Sequence, residues 1–269
     1  MFKLEMPASY MMPAHFGPRY AGEKSSGWYH DVTVMAIPYV TDRDKLAALL
    51  PPKFEVAQEA VISVYYVCNN QIDWLAGHSY NMIGVNASVV YRGEEETLEG
   101  TYSIVIWENL ADPILTGREL QGIPKVFADI PNHSINSDIW RCNASHFGHK
   151  IIDMQISDLR APELEEIAAA HAAQAGKDNP MGWRYIQKVG GFEPRVDEYV
   201  TFPSENRIKQ VHYGVGELDW KKLTWEQNPT QYHIVNTLKE LPILEYKPAV
   251  ITKGATNLFL PDRPTRVLR

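Results

Sequence analysis

Cysteine is nearly missing from this sequence. Cys68 and Cys142 are the only two in 269 residues, far apart and unclustered. That argues against a disulfide framework and leaves buried free thiols as the expectation, in keeping with a reducing, cytoplasmic setting. A basic surplus is also missing. The formal net charge is -7, and no basic run with interleaved aromatics occurs, so nucleic acid and anionic lipid are poor partners. The one basic bias, Arg263, Arg266 and Arg269, reads as a frayed end. No apolar run reaches the length that spans a bilayer. Residues 1–20 lack the basic start, apolar run and cleavage site of a secretory signal, and Pro7, Pro13 and Pro18 break them up.

Several site patterns are lacking as well. There is no phosphate-cradling loop and no paired-histidine zinc helix. Gly214-Val215-Gly216 has neither a third glycine nor a following helix. His146 and His149 lie near Cys142, but no second ligand cluster completes a zinc site. Gly77-His78-Ser79-Tyr80-Asn81 lacks the final glycine of a nucleophile elbow and precedes a strand instead of following one. No metal is expected.

What is present is an ordinary globular composition, 45 % apolar and 22 % charged. No repeat or linker divides the chain, so 1–269 reads as one domain. Residues 1–26, rich in proline, methionine and glycine, read as an extended N-terminal arm. Strands are predicted at 28–37, 61–67, 80–91, 97–107, 126–130, 135–142, 151–156, 183–188, 198–207, 208–218 and 245–251. The acidic run at 92–96 reads as a solvated hairpin turn. Residues 41–44 cap a short helix over 45–50, stopped by Pro51-Pro52. The one long helix, 162–175, carries Glu163, Glu165 and Glu166 at its positive end and Gly176 after it. Many short strands and few helices predict a β-rich α+β fold, with curled antiparallel, barrel-like sheets around a pocket.

The chemically informative stretch is 116–127. Lys125 sits between Ile123-Pro124 and Val126-Phe127. An ammonium buried among apolar groups is disfavoured in its charged form. A drop of about three pKa units, roughly 4 kcal/mol, would make it nucleophilic near neutrality. Pro124 stiffens the approach, and Gly117 and Gly122 permit tight turns. The residues alone favour a strand lysine that snorkels to water, with Arg118-Glu119 a structural ion pair.

Gly117-Arg118-Glu119-Leu120 followed by Pro124-Lys125 resembles the lysine motif of the acetoacetate decarboxylase superfamily. Tyr39-Val40-Thr41-Asp42 with the short helix and Leu50-Pro51 resembles the family's N-terminal unit. Tyr80 through Gly93 resembles the strand that lines its pocket. The resemblance runs from about residue 28 to 250. It implies an imine on Lys125 as electron sink, no other cofactor, and a homo-oligomer. Three positions depart from true decarboxylases: Val126 replaces a second lysine, Met82 a pocket glutamate, and a position near Val32 an arginine. Gln121, four residues before Lys125, resembles the pyruvate aldolase-dehydratase branch, in which that glutamine and a C-terminal tyrosine, here Tyr246, contact the keto acid.

The resemblance therefore implies a lyase for a small keto acid, such as pyruvate, with an aldehyde as second partner. Lys125 and Glu119 would be catalytic, and Gln121, Arg118, Tyr246 and Met82 would bind substrate. Two alternatives stay open. One is decarboxylation of a 3-keto acid through the same imine; the other is a non-catalytic binding protein of the same fold.

Overall fold

Alternation along β-branched strands places successive side chains on opposite faces, and here it builds one long sheet with two different faces. The computed structural model describes residues 3–4, 6–19 and 26–269. The strands are β1 (Trp28–Val40), β2 (Phe54–Val56), β3 (Val61–Ile72), β4 (Tyr80–Arg92), β5 (Thr97–Glu108), β6 (Lys125–Phe127), β7 (Ser134–Asn136), β8 (Ile139–His146), β9 (His149–Arg160), β10 (Pro180–Gln187), β11 (Pro194–Thr201), β12 (Glu205–Trp220), β13 (Glu245–Tyr246), β14 (Ala249–Asn257) and β15 (Arg266–Val267). The helices are α1 (Arg43–Ala47), α2 (Ala111–Thr116), α3 (Leu164–Gln174) and α4 (Tyr232–Glu240). None is long and apolar enough to cross a membrane.

The main path runs β15-β11-β10-β5-β4-β3-β1-β14-β12-β9-β8-β7, with β13 on β1, β2 on β4 and β6 on β5. The fold is the expected β-rich α+β type. Its sheet does not close into a barrel, because β15 and β7 are the ends of the path. Nor is it wholly antiparallel: β5 pairs parallel with both β6 and β10.

On one face Met35, Ile37, Ile62, Val64, Tyr66, Ile83, Val85 and Trp107 form a continuous core. On the other, Val34, Val67 and Met82 stand in one cross-strand row, and that face lines a cavity. Lining residues come from seven consecutive strands, β10 to β12 in sheet order, or from the segments that adjoin them. A sheet converging on one space from that many strands must be curled around it.

Several sequence expectations shift by known physics. The predicted strand 135–142 is two strands joined at Ser137 and Asp138, both in the left-handed region that turns allow. The predicted 198–207 and 208–218 are β11 and β12, divided at residues 202–204, where Pro203 cannot continue a ladder. The helix α3 has its acidic capping box, Glu163 with Glu166. The basic tail is not frayed. Arg266 makes a two-pronged pair with Glu96, both bonds 2.7 Å, and the Arg269 backbone N–H donates to the same carboxylate. The acidic turn at 92–96 is thus the anchor for the chain's end. Residues 1, 2, 5 and 20–25 of the expected arm lie outside the described residues.

Two helices carry no strong sequence signal. In α2, Pro113 occupies the first turn, where its missing N–H costs nothing. In α4, Gln231 precedes the first turn without capping it, because its side chain is used elsewhere.

Candidate active site

Lys125 begins β6 and pairs with Ile106 of β5. Glu108, two residues along β5 from Ile106, therefore faces the same side as Lys125. The Lys125 Nζ lies 2.8 Å from Glu108 Oε1 and donates to the Pro113 carbonyl at 3.1 Å. Lys125 is 7 % exposed and Glu108 is 0 % exposed. Burial pushes the Glu108 carboxyl above its ordinary value, and the Lys125 charge offsets part of that rise. No hydrogen-bonding group of the described residues other than this amine reaches either Glu108 oxygen.

The local backbone explains the placement. Residues 117–121 form a π-helical turn that continues α2. Gly122 then takes a positive φ of 70°, which reverses the chain. Pro124 offers its carbonyl to Ile106 N–H, and Lys125 N–H closes onto Ile123 O at 2.8 Å. Gly117 is not a turn glycine, since its φ is -62°. Its role is close approach: a Cβ there would stand 2.5 Å from Lys125 Cδ and 2.9 Å from Nζ. Glycine makes room for the lysine.

Beneath the site, Gln231 accepts from Trp107 Nε1 at 2.7 Å and donates to Phe127 O at 2.9 Å. This buried amide ties α4 to β5 and β6, the two strands that carry Glu108 and Lys125.

Lys125 opens into a cavity of about 230 Å³. Its apolar lining is Val32, Val34, Val67, Met82, Ile106, Ile123, Phe202 and Leu258. Polar groups at its edges are Tyr29, Tyr65, Asn69, Tyr80, Asn86, Ser103, Ser204, Asn206 and Thr256. The Tyr65 ring lies over Gly84, where a Cβ would meet its hydroxyl at 2.4 Å. Burial raises the Tyr65 and Tyr80 phenols above their usual range, and the nearby Glu108 charge adds to both shifts. Among the described residues Lys125 is the only cationic side chain in the lining.

A larger depression of about 500 Å³ lies over β8, β9 and β12. Asp153 in it pairs with Lys150 and Lys221. It holds no buried nucleophile with an open face, since Cys142 there is pushed far up by burial. The smaller cavity is the better site on chemical grounds. Among the described residues no group of three histidine, cysteine or acidic side chains could hold a metal.

Of the residues singled out in the sequence, Lys125 and Met82 line this cavity together, and Val32 joins them. The others stand outside its lining. Arg118 donates to the Lys125 carbonyl at 2.9 Å and borders a separate apolar depression. It braces the lysine's backbone and is not paired with Glu119. The Glu119 backbone carbonyl accepts from Arg184, and its carboxylate is absent from the cavity wall. Gln121 is half-buried and also absent from that wall. Tyr246 lies on β13 beside Tyr39, 40 % exposed, with its hydroxyl on Leu218 N–H. Val126 points to the opposite side of β6, toward Leu49, Ile104 and Leu238. The residue that sequence reading missed is Glu108. Its one signal was a charged residue closing the apolar run Ile104-Val105-Ile106-Trp107.

Comparison with known proteins bears on the family and the fold. Residues 11–256 match the family model described as acetoacetate decarboxylase. The acetoacetate decarboxylase of Legionella pneumophila is 19 % identical, with a TM-score of 0.72 over 98 % of this chain and 92 % of that one. The enduracididine biosynthesis enzyme MppR complexed with pyruvate is 15 % identical, with a TM-score of 0.67 over 98 % and 99 %. An acetoacetate decarboxylase-like enzyme from Sphingomonas wittichii is 14 % identical, with a TM-score of 0.69 over 97 % and 98 %. At these identities the structures share the fold. No curated protein sequence matches.

Proposed function

Because this chain belongs to the acetoacetate decarboxylase family, we propose that Lys125 condenses with the ketone of a small keto acid and holds it as an imine. The observation that carries this reading is the Lys125–Glu108 pair, dry and buried, at the wall of a cavity whose described lining holds no other charge. Passing the ammonium proton to Glu108 removes two buried charges at once. Burial makes Glu108 a willing acceptor. The neutral amine adds to the ketone, water leaves, and the iminium withdraws electrons from the neighbouring carbon. The Glu108 proton departs with that water, and the enamine carbon takes its proton from solvent, with the Glu108 carboxylate beside it able to relay it.

The cavity favours decarboxylation of a 3-oxo acid among the reactions such an imine supports. Among the described residues, a carboxylate bound there meets no cation in the lining except the amine that has reacted. Losing it as carbon dioxide relieves a buried charge: the carbon–carbon bond breaks, its electron pair moves toward the iminium nitrogen, and an enamine forms. A second reading, aldol condensation of pyruvate with an aldehyde followed by loss of water, is supported by the shared fold of MppR, whose structures include one with the condensation product of pyruvate and imidazole 4-carboxaldehyde. Gln121 and Tyr246, which would support that reading, lie outside the cavity wall.

The test is a pair of assays on wild type and Lys125→Ala. Acetoacetate should release carbon dioxide catalytically, and pyruvate with an aldehyde should give little ultraviolet-absorbing enone. The reverse pattern supports the aldol reading. Equal activity in Lys125→Ala refutes both.

A further inference from the structure

Tyr65, Gly84, Ile106 and Lys125 stand in one cross-strand row, paired in turn from β3 through β4 and β5 to β6. Residues opposite one another in a ladder share a face, and Tyr65, Ile106 and Lys125 all line the cavity. Gly84 gives the row its shape. A Cβ there would stand inside the Tyr65 phenol, so its absence lets the half-buried ring lie over β4 in the direction of Lys125. From the other end Lys125 leans onto β5, where Glu108 holds its amine. Tyr65 thus crosses the first spacing of the row and Lys125 the last. Across the strands this leaves one spacing, about 5 Å, between hydroxyl and amine.

The surroundings suit a donor in that gap. Ser103 donates to Asn86 at 3.1 Å, and Asn86 in turn bonds the Tyr65 phenol. That bond favours the ionised phenol, so the phenol oxygen accepts and Asn86 donates. Glu108 takes no hydrogen from Tyr65, since neither of its oxygens has a hydrogen-bond partner among the described residues beyond the Lys125 amine. The phenol's own hydrogen is left for a molecule in the cavity. When an amine adds to a ketone, negative charge develops on the carbonyl oxygen. That oxygen sits on the carbon joined to Nζ, inside the gap and within hydrogen-bonding reach of the phenol.

We infer that Tyr65 is a catalytic residue, whose hydroxyl donates a hydrogen bond to the ketone oxygen while Lys125 adds to that carbonyl and while the oxygen leaves as water. This rests on the imine reading and adds a group to it. The bond formed is Nζ to carbon, and the bond broken is carbon to oxygen. The departing water takes one hydrogen from the amine and one from Glu108, so no proton is transferred at Tyr65. A phenol that burial makes hard to ionise is suited to donating without giving its proton up.

The test is oxygen exchange between acetone and ¹⁸O-labelled water, which needs imine formation and its reversal but no carbon–carbon chemistry. Wild type should speed entry of the label, and Lys125→Ala should not. Tyr65→Phe should slow the catalysed exchange about 10²–10³-fold. Its pH profile should stay in place, since Lys125 and Glu108 are untouched; a collapsed cavity would displace that profile. Gly84→Ala keeps the phenol but moves its hydroxyl, and should slow exchange roughly 10²-fold. Melting curves establish that each variant is folded, and Gly84→Ala decides if Tyr65→Phe is not. Exchange that needs Lys125 but runs as fast in the folded variants, or that is lost with a displaced pH profile, overturns this inference alone. Absence of exchange in wild type overturns the imine reading, and this inference with it.

Discussion

Lys125 Nζ meets Glu108 Oε1 at 2.8 Å, and neither group has bulk water to fall back on. A carboxylate and an ammonium desolvated together are costly unless each serves the other. Glu108→Gln keeps the shape and removes the proton acceptor. Activity on a keto acid should fall by about 10²–10⁴-fold. Stability should fall by about 3–5 kcal/mol, because Lys125 is left buried and unpaired. Removing both charges, Glu108→Leu with Lys125→Met, should restore the melting temperature without activity. A melting series on the two variants checks this.

Gly117→Ala tests the close approach. Its φ of -62° suits alanine, so the backbone should tolerate the change. The new methyl would fall 2.5–2.9 Å from the lysine side chain. Overpacking should cost about 1–3 kcal/mol, and misplacing the amine by about 1 Å should cost roughly 10²-fold in turnover. Steady-state kinetics beside thermal melts separate the two effects.

The strands that build the site were legible in the sequence because their β-branched runs leave little choice, as at 61–67, 80–91 and 97–107. Lys125 was legible through the resemblance of Gly117-Arg118-Glu119-Leu120 and Pro124-Lys125 to a family motif; its apolar neighbours alone read as those of a strand lysine that snorkels to water. Glu108 was not. A glutamate after an apolar strand looks like its solvated end, and only the parallel pairing of β6 with β5, made after a 16-residue excursion, turns it inward. That register is a tertiary fact. Tyr246 failed to join the cavity for a related reason: β13 pairs with the Tyr39 end of β1, whereas Val32 and Val34 of the same strand line the cavity. Gln231 was missed because an amide in a loop reads as solvated until Trp107 and Phe127 are seen to use both its ends.

Val126→Lys tests the alternation of β6. The side chain at 126 points away from the cavity. A lysine there should leave the pH profile of turnover unchanged and should lower stability by roughly 1–3 kcal/mol. A pH–rate curve on the variant decides it, and a displaced optimum would show that residue 126 feels the site.

The C-terminal anchor has its own pH signature. Hydrogen bonds from Arg266 hold Glu96 down at about 2, from an ordinary 4.5. A depressed carboxylate stabilises the fold above its unfolded value and loses that contribution as pH falls through the folded one. The gap in melting temperature between wild type and Glu96→Gln should therefore be full above pH 5 and close between about 4.5 and 2. Arg266 is half-exposed, so the gap should be worth about 1 kcal/mol or less.

The central claim is that Lys125 forms a covalent bond with substrate. Wild-type protein incubated with acetoacetate and reduced with borohydride should carry one added group, and peptide mass mapping should place it on Lys125. Unmodified protein, or a label on another lysine with Lys125 intact, would contradict the account.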